Sequence, residues 1–260
     1  MKIRIIAEVG LNHMGSVSLA KKYLNSLVKT DVDGISFQIK SKSFYIQFKN
    51  SKKNKDISFY KNFREKFFYI NNFKKKKFQS LELPNNFYKY AKNICKKNNK
   101  MFGIALGDID KVFFLSKIKV DFIKILSEDF YNFSLIKKLL KSNITLLYLS
   151  TGSILYKDVN FFIKSLRKPF LKKISVIYTK FSNKISDIDL KNILKYKKIH
   201  PDVSYGNHSY GLSSIFKSLK YNPNSIFFYV KSNRINISHP DERHAIRLKD
   251  LKQILKKIRN

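Results

Sequence analysis

This 260-residue chain has no tryptophan, and cysteine, glycine, proline and acidic residues are scarce. The single cysteine, Cys95, cannot form an internal disulfide, which favours a reducing compartment. No window reaches the roughly 18 uninterrupted apolar residues of a membrane span, and Met1 is followed by a strand-like run rather than by a signal peptide. We therefore expect a soluble, cytoplasmic protein without a membrane span.

Basic residues far outnumber acidic ones: 53 Lys and Arg stand against 18 Asp and Glu, a formal charge of +35. Such a charge ordinarily suggests nucleic acid as a partner. However, 46 of these residues are Lys and only seven are Arg. Arg is the residue that forms bidentate hydrogen bonds with phosphates and base edges, so dispersed Lys residues are poor evidence for specific recognition of nucleic acid. This composition, rich in Asn, Ile, Phe and Tyr, is typical of AT-rich codons, and we do not expect nucleic acid to be the main partner.

Eight short runs rich in β-branched and aromatic residues recur along the chain, with amphipathic helical patterns between them. Most are continuous apolar stretches, as expected for parallel strands covered on both faces. The alternation predicts a single-domain α/β protein with a (β/α)8 TIM barrel fold, and an open doubly wound sheet is the alternative. The predicted strands are residues 3–7, 34–39, 101–106, 120–126, 144–149, 173–178, 202–206 and 225–231.

One connection is much longer than an ordinary loop between a strand and a helix. Residues 40–84 form a lysine-rich insertion within a domain that otherwise spans residues 1–260. Long loops at a barrel mouth are often lids, whereas Lys/Asn runs are typical of solvated or partly disordered segments. Both interpretations of this insertion stay open.

Functional side chains cluster where the first predicted strand ends. The run that starts at Ile5 carries Glu8 towards its carboxyl end, and a glycine-containing turn then carries Asn12 and His13. Parallel α/β folds present reactive groups at this end of their strands. Lys124 lies in an apolar run at the end of the fourth strand, where a lysine is costly unless it faces the mouth or an anion. These residues predict a site in the barrel mouth.

The segments that carry these residues resemble the sialic acid synthases, enzymes that condense phosphoenolpyruvate with an N-acyl amino sugar. The matching strings are AEVGLNHMG, KILSED, STG, NHS and HPD, in the family's order and over nearly the whole chain. The resemblance implies a TIM barrel transferase that forms a sialic-acid-like nonulosonic acid and releases phosphate, in carbohydrate biosynthesis such as that of bacterial surface polysaccharides. Barrels that make deoxy-sugar acids from phosphoenolpyruvate are the next alternative, and the AEVGLNH opening argues against them.

The resemblance also implies roles for individual side chains. Glu8 and Gln38 match catalytic positions that handle the sugar or the attacking water, and Asp129 matches an acidic position at the sugar that we count with them. His208 matches one of two histidines that hold a divalent metal, Mn²⁺ or Mg²⁺. The matching substrate-binding positions are Asn12, His13, Lys124, Ser127, Ser150 and Asp241.

The chain departs from the family pattern at anion and metal positions. Ser36 stands where the family has a lysine, Ala105-Leu106 replaces a Thr-Pro pair, and the second metal histidine falls at Val230 in our alignment. Lys180 is our candidate for supplying the charge lost at Ser36 and for binding substrate.

Two hypotheses about function follow from the same residues. The chain is either a divergent synthase or a degenerate, non-catalytic paralogue that binds a sugar or anionic ligand or supports a partner enzyme. The family's small C-terminal antifreeze-like domain has no counterpart before Asn260, so we expect the barrel domain alone. A homodimer is one option for the assembly.

Overall fold

The computed structural model describes residues 2–39, 81–152, 154–182, 185–233 and 239–259. Residues 40–80 of the predicted insertion lie outside this part, and residues 81–84 lead directly into a helix. Within the described residues, no helix has both the length and the apolar character that crossing a membrane requires.

Eight parallel strands close into a barrel. Strands that are consecutive in the chain are neighbours in the sheet, and the first also pairs with the eighth. This closure confirms the predicted (β/α)8 barrel and rules out the open sheet. A ninth, two-residue strand adds to the eighth. The strands are β1 Arg4–Gly10, β2 Gly34–Ile39, β3 Met101–Leu106, β4 Phe122–Ile125, β5 Leu147–Ser150, β6 Ile174–Thr179, β7 Val203–Gly206, β8 Ser225–Lys231 and β9 Ile246–Arg247.

Helices lie between the strands, and their apolar faces pack against the outside of the barrel. The Ser16 hydroxyl accepts a hydrogen bond from the Leu19 N–H at 3.2 Å, and Asn132 Oδ1 accepts one from the Leu135 N–H at 3.1 Å, so each side chain caps the start of a helix. The helices are α1 Val17–Leu27, α2 Asn85–Lys97, α3 Val112–Lys117, α4 Phe133–Lys141, α5 Tyr156–Ser165, α6 Lys168–Leu171, α7 Asn192–Lys197, α8 Ser213–Leu219 and α9 Leu251–Arg259.

A small apolar cluster fills the inside of the barrel, separate from the large core between strands and helices. Its fully buried members are Ile6, Phe122, Tyr148, Ile177 and Phe227. Side chains alternate between the two faces of a strand, so residues two positions further along point inwards as well, closer to the carboxyl ends. The inward positions above this cluster are Glu8, Lys124, Ser150, Thr179 and Tyr229. The barrel mouth is therefore polar.

Candidate active site

A buried ion pair spans the barrel mouth. Lys124 Nζ on β4 donates to Glu8 Oε1 at 2.8 Å and to Glu8 Oε2 at 2.7 Å, and both residues are at most 2% exposed. The ammonium also lies 5.4 Å from the ring centre of Phe227 and 5.6 Å from that of Tyr229. These rings and the carboxylate stabilise a cation that the apolar surroundings alone would not accept. The two groups that the sequence singled out separately thus form one unit.

The second strand places two further predicted residues beside Glu8. Ser36 is paired in register with Glu8 and Gln38 with Ala105, and both polar residues are buried. Phe37 between them packs into the outer core, so Ser36 and Gln38 face the barrel interior. The lysine that the resemblance expects at position 36 would lie next to Glu8.

The turns after β4 and β5 bring the predicted phosphoenolpyruvate ligands to the mouth. Ser127 begins a short 3-10 helix that ends at Asp129, and both side chains are buried. Ser150 is the last residue of β5 and is 3% exposed. Gly152, at a φ of 37°, lies so close to Ser127 that an added Cβ would overlap the Ser127 hydroxyl. The two serine-bearing turns are thus in direct contact.

The glycine-containing turn after β1 is tied to the far end of the chain. Asn12 Nδ2 donates to the Val230 carbonyl at 2.8 Å, and Asn12 Oδ1 accepts from the Asp241 N–H at 3.1 Å. His13 Nδ1 accepts from the Gly15 N–H at 3.1 Å, and burial lowers the pKa of His13 to about 4. Asn12 and His13 are both fully buried, and their side-chain hydrogen bonds order the turn.

His208 follows β7 in a turn that is held by its neighbour Asn207. Asn207 Oδ1 accepts from the Ser209 N–H and Oγ, at 3.3 and 2.9 Å, and from the Ser214 and Tyr205 hydroxyls, at 2.6 and 3.3 Å. One buried oxygen thus receives four donors, three of them side-chain hydroxyls. This arrangement fixes the backbone from which the imidazole projects.

An aromatic group surrounds the His208 imidazole. Its ring centre lies 4.9 Å from Phe181, 5.4 Å from Tyr229 and 4.7 Å from His244. Val230, where our alignment placed the second metal histidine, packs into the outer core instead. The alignment missed the inward face by one residue, because a shift of one position along a strand reverses the side. Tyr229 is the residue of β8 that faces His208.

His244, which the sequence analysis did not single out, belongs to the segment between β8 and β9. Its Nε2 lies 3.7 Å from Asp241 Oδ1. Lys231 and Glu242 form an ion pair at 2.6 Å, and His239 Nδ1 lies 3.1 Å from the Asn12 carbonyl oxygen. In the sequence, His244 is marked only by its position three residues after the Asp of the HPD string. That spacing alone does not predict that it lies close to His208.

The mouth keeps its imidazoles neutral and its phenol protonated. Burial, the neighbouring His244 and then Lys124 hold the pKa of His208 well below 6.5. Burial and nearby lysines lower the pKa of His244 to about 4. Burial and then Glu8 raise the pKa of Tyr229 well above 10. At neutral pH both histidines therefore present nitrogen lone pairs, and Tyr229 can donate a hydrogen bond.

Lys180 does not share the enclosed surroundings of Lys124. It follows the last residue of β6 and is exposed, whereas Lys124 is 1% exposed. The next residue, Phe181, is the one that reaches His208. Lys180 could therefore replace the charge lost at Ser36 only from the rim of the barrel mouth.

Metal-binding chemistry at the mouth rests on His208 and its neighbours. Across the described ranges, no group of three or more His, Cys, Asp or Glu side chains is arranged to hold an ion. Two neutral imidazoles nevertheless lie side by side, and His244 Nε2 is buried without a hydrogen-bond partner among the described residues. An orphaned imidazole nitrogen beside another imidazole fits the donor chemistry of a divalent transition metal. The remaining ligands would have to be water or substrate.

Comparison with known proteins agrees with this architecture. The chain is 25% identical to N,N'-diacetyllegionaminic acid synthase of Campylobacter jejuni, over 99% of this chain and 76% of the relative. It is 27% identical to N-acetylneuraminate-9-phosphate synthase of Drosophila melanogaster, over 81% of this chain and 55% of that protein.

Solved structures share the fold. The N-acetylneuraminic acid synthetase of Leptospira borgpetersenii superposes with a TM-score of 0.76 at 19% identity, covering 99% of this chain and 83% of that one. The spore coat polysaccharide biosynthesis protein spsE of Bacillus subtilis gives a TM-score of 0.77 at 19% identity, covering 99% and 67%. The NeuB family profile matches residues 25–260. The chain belongs to the NeuB family.

Proposed function

We propose that this protein condenses phosphoenolpyruvate with an N-acyl amino sugar to give a nonulosonic acid and inorganic phosphate. The observation that carries the proposal is the buried Glu8–Lys124 pair in the mouth of a NeuB-family barrel. A stable fold does not require a charged pair at the carboxyl ends of its strands, where TIM barrels place their chemistry. Relatives named as legionaminate and sialate synthases support the same reaction class.

Phosphoenolpyruvate carries two anionic groups, and the mouth offers matching donors. The Lys124 ammonium has three N–H bonds and contacts one residue, Glu8, through its hydrogen bonds, so it can also contact an anion. Ser127 and Ser150 add hydroxyl donors on adjoining turns. We assign these three residues to phosphoenolpyruvate, with Asn12 and His13 ordering the turn behind them.

The reaction forms one carbon–carbon bond to the sugar and one carbon–oxygen bond to water, and it breaks the carbon–oxygen bond to phosphate. C3 of the enol attacks the sugar aldehyde, whose oxygen takes up a proton, and a water adds at C2 of the resulting cation and loses one proton. Phosphate then leaves from C2 with the proton of the C2 hydroxyl, which becomes the ketone oxygen. A carboxylate such as Glu8 can take the proton from that water, and Gln38 on the neighbouring strand can orient it. We assign Asp129 and Asp241 to contacts with the sugar hydroxyls.

The growing negative charge on the aldehyde oxygen needs an electrophile. A divalent ion, when bound beside His208, supplies Lewis-acid polarisation of that oxygen. The protonated phenol of Tyr229, which the structure places next to His208, can donate a hydrogen bond to the same oxygen. Because burial and then the nearby carboxylates, Glu8 first, raise the pKa of this phenol well above 10, it keeps its proton at neutral pH.

The proposal is tested by incubating the protein with phosphoenolpyruvate, Mn²⁺ and either N-acetylmannosamine or a diacetamido sugar. Released phosphate is measured and the product is identified by mass spectrometry. Glu8→Gln keeps the shape but removes the base, so we expect kcat to fall by about 10² to 10⁴. Asp250→Asn changes an exposed carboxylate before α9 and should leave kcat unchanged.

Calorimetric titration of phosphoenolpyruvate separates binding from turnover. Lys124→Met should abolish saturable binding, whereas Lys252→Met, which removes an exposed charge on α9, should not. Binding without turnover of either sugar would favour the non-catalytic paralogue. Absence of specific binding by the folded wild-type protein would refute the proposed function.

A further inference from the structure

We infer that a groove between α4, α5 and α6, on the outer surface of the barrel, is a docking site for a helical segment of an acidic partner protein. This inference goes beyond the proposed function, because the groove is lined by residues other than those assigned to the substrates. The groove encloses about 250 Å³. Its apolar lining residues are Phe133, Ile136, Leu140, Phe162, Leu166 and Phe170.

The groove has a buried floor and an exposed aromatic wall. Ile136 on α4 and Phe162 on α5 form part of the floor and are buried. Phe133 stacks on Phe162, with ring centres 5.9 Å apart and planes inclined at 12°, but it is still 53% exposed. Buried floor residues are ordinary core. A half-exposed ring beside an apolar groove, in contrast, is characteristic of interaction sites.

Phe161 extends this apolar surface along α5. It is 77% exposed and lies one helical turn before Ser165, which lines the groove. Residues four apart on a helix share a face, so Phe161 lies on the same side of α5 as the groove. Two exposed phenylalanines, Phe133 and Phe161, therefore flank one depression, and covering them with a partner would remove apolar surface from water.

Basic residues surround the groove. Residues 133–173 contain eight Lys and one Arg but a single acidic residue, Asp158, whereas the ratio in the whole chain is 53 to 18. Lys137 and Arg167 are exposed and line the groove itself. The Arg167 guanidinium lies 5.4 Å from the ring centre of Phe170, at the edge of the apolar surface, where it can bind a carboxylate in a bidentate manner. The charge therefore favours an acidic occupant.

The shape of the groove favours a helix over two other occupants. A depression between helices accepts the apolar face of an amphipathic helix, whose anchors lie at i, i+3, i+4 and i+7. A second copy of this chain would bring its own charge of +35 against the basic rim. An anionic membrane binds apolar side chains that project from a helix lying in its surface, whereas most of the apolar residues here line a depression.

The test uses fluorescent helix-forming peptides and the full-length protein. One set carries Leu or Phe at i, i+3, i+4 and i+7 with Glu at the remaining positions, and a matched set carries Lys instead of Glu. Fluorescence anisotropy should show saturable binding of acidic peptides, with a dissociation constant below about 100 µM, and no binding of the basic set.

Variants locate the binding surface. Phe133→Ser, Phe161→Ser and Arg167→Glu should each weaken binding by at least about 10-fold. Phe113→Ser, at a ring on α3 that is 75% exposed, and Lys252→Glu, at an exposed lysine on α9, should bind as the wild type does. The Phe161 side chain is exposed enough that its replacement should leave the fold intact, which circular dichroism verifies.

Three results would overturn the inference. The first is that no acidic peptide binds saturably, or that the groove variants bind as well as the two controls, which would mean that net charge alone attracts the peptides. The second is a dimer in sedimentation velocity that Phe161→Ser abolishes, because a second copy would then occupy the groove. The third is binding to phosphatidylserine vesicles that Phe161→Ser abolishes, which would identify a lipid surface as the partner.

Discussion

The buried Glu8–Lys124 pair predicts a large coupling free energy in unfolding experiments. Lys124→Met leaves the Glu8 carboxylate without its cation at a residue that is 2% exposed. Breaking a buried ion pair from one side costs about 3 to 5 kcal/mol, because the remaining charge is neither paired nor solvated. Glu8→Gln leaves the ammonium in the same position. We expect each single variant to lower the free energy of unfolding by about 4 kcal/mol.

The double variant Glu8→Gln/Lys124→Met carries no charge at either position and should be more stable than Lys124→Met alone. The double variant should lose less unfolding free energy than the two single variants together, by at least about 2 kcal/mol. Urea unfolding of the four proteins, followed by circular dichroism, measures this coupling. If Lys124→Met is unfolded in buffer while the double variant folds, the difference still gives a lower limit for the coupling.

The exposed pair Arg247–Asp250 serves as the matched control. Its atoms are as close, at 2.8 Å, but the side chains are 49% and 39% exposed. Surface pairs of this kind couple by about 0.2 to 1 kcal/mol, because water screens both charges. A coupling free energy for Glu8 and Lys124 no larger than that of Arg247 and Asp250 would refute the view that burial makes the mouth pair a single energetic unit.

Three further predictions concern the turns around the mouth. The pKa of His13 is about 4 in the folded protein and 6.5 in an exposed histidine, so the unfolded state takes up a proton first as the pH falls. Between pH 6.5 and 4, the wild type should therefore lose about 3 kcal/mol of unfolding free energy that the variant His13→Asn does not lose. Urea unfolding at the two pH values measures this difference. Gly10→Ala would place a Cβ 2.7 Å from Tyr229 Cε1 on a residue whose φ is 55°, and it should lower the free energy of unfolding by about 2 kcal/mol. A thermal midpoint equal to that of the wild type would contradict this strain. Asn207→Ala leaves the hydrogen-bond donors that now contact Asn207 Oδ1 unsatisfied, so it should lower the free energy of unfolding by about 2 to 3 kcal/mol. The NMR resonances of the His208 ring should also broaden in this variant. Sharp, unshifted resonances would argue against a positioning role for Asn207.

The sequence predicted the positions of some site residues but not which residues contact each other. Glu8 and Lys124 were predicted at the mouth because a charged residue inside an apolar strand has few other acceptable positions. That they bind each other was not predicted, since the pair joins residues 116 positions apart. The second metal histidine was sought on β8 by alignment. The position of His244 beside His208 was not predicted, because the strand pattern does not extend to the loop that carries it.

Sequence alone determined the eight strands, the helical segments between them and the polar character of the strand ends, because these follow from local patterns of apolar and polar residues. Only the tertiary structure decided three other features. It closed the sheet through β1 and β8, turned Tyr229 rather than Val230 towards the mouth, and brought His244 beside His208. The physical reason is that strand faces alternate with every residue and loop positions depend on packing, so contacts between distant segments are settled only when the barrel closes.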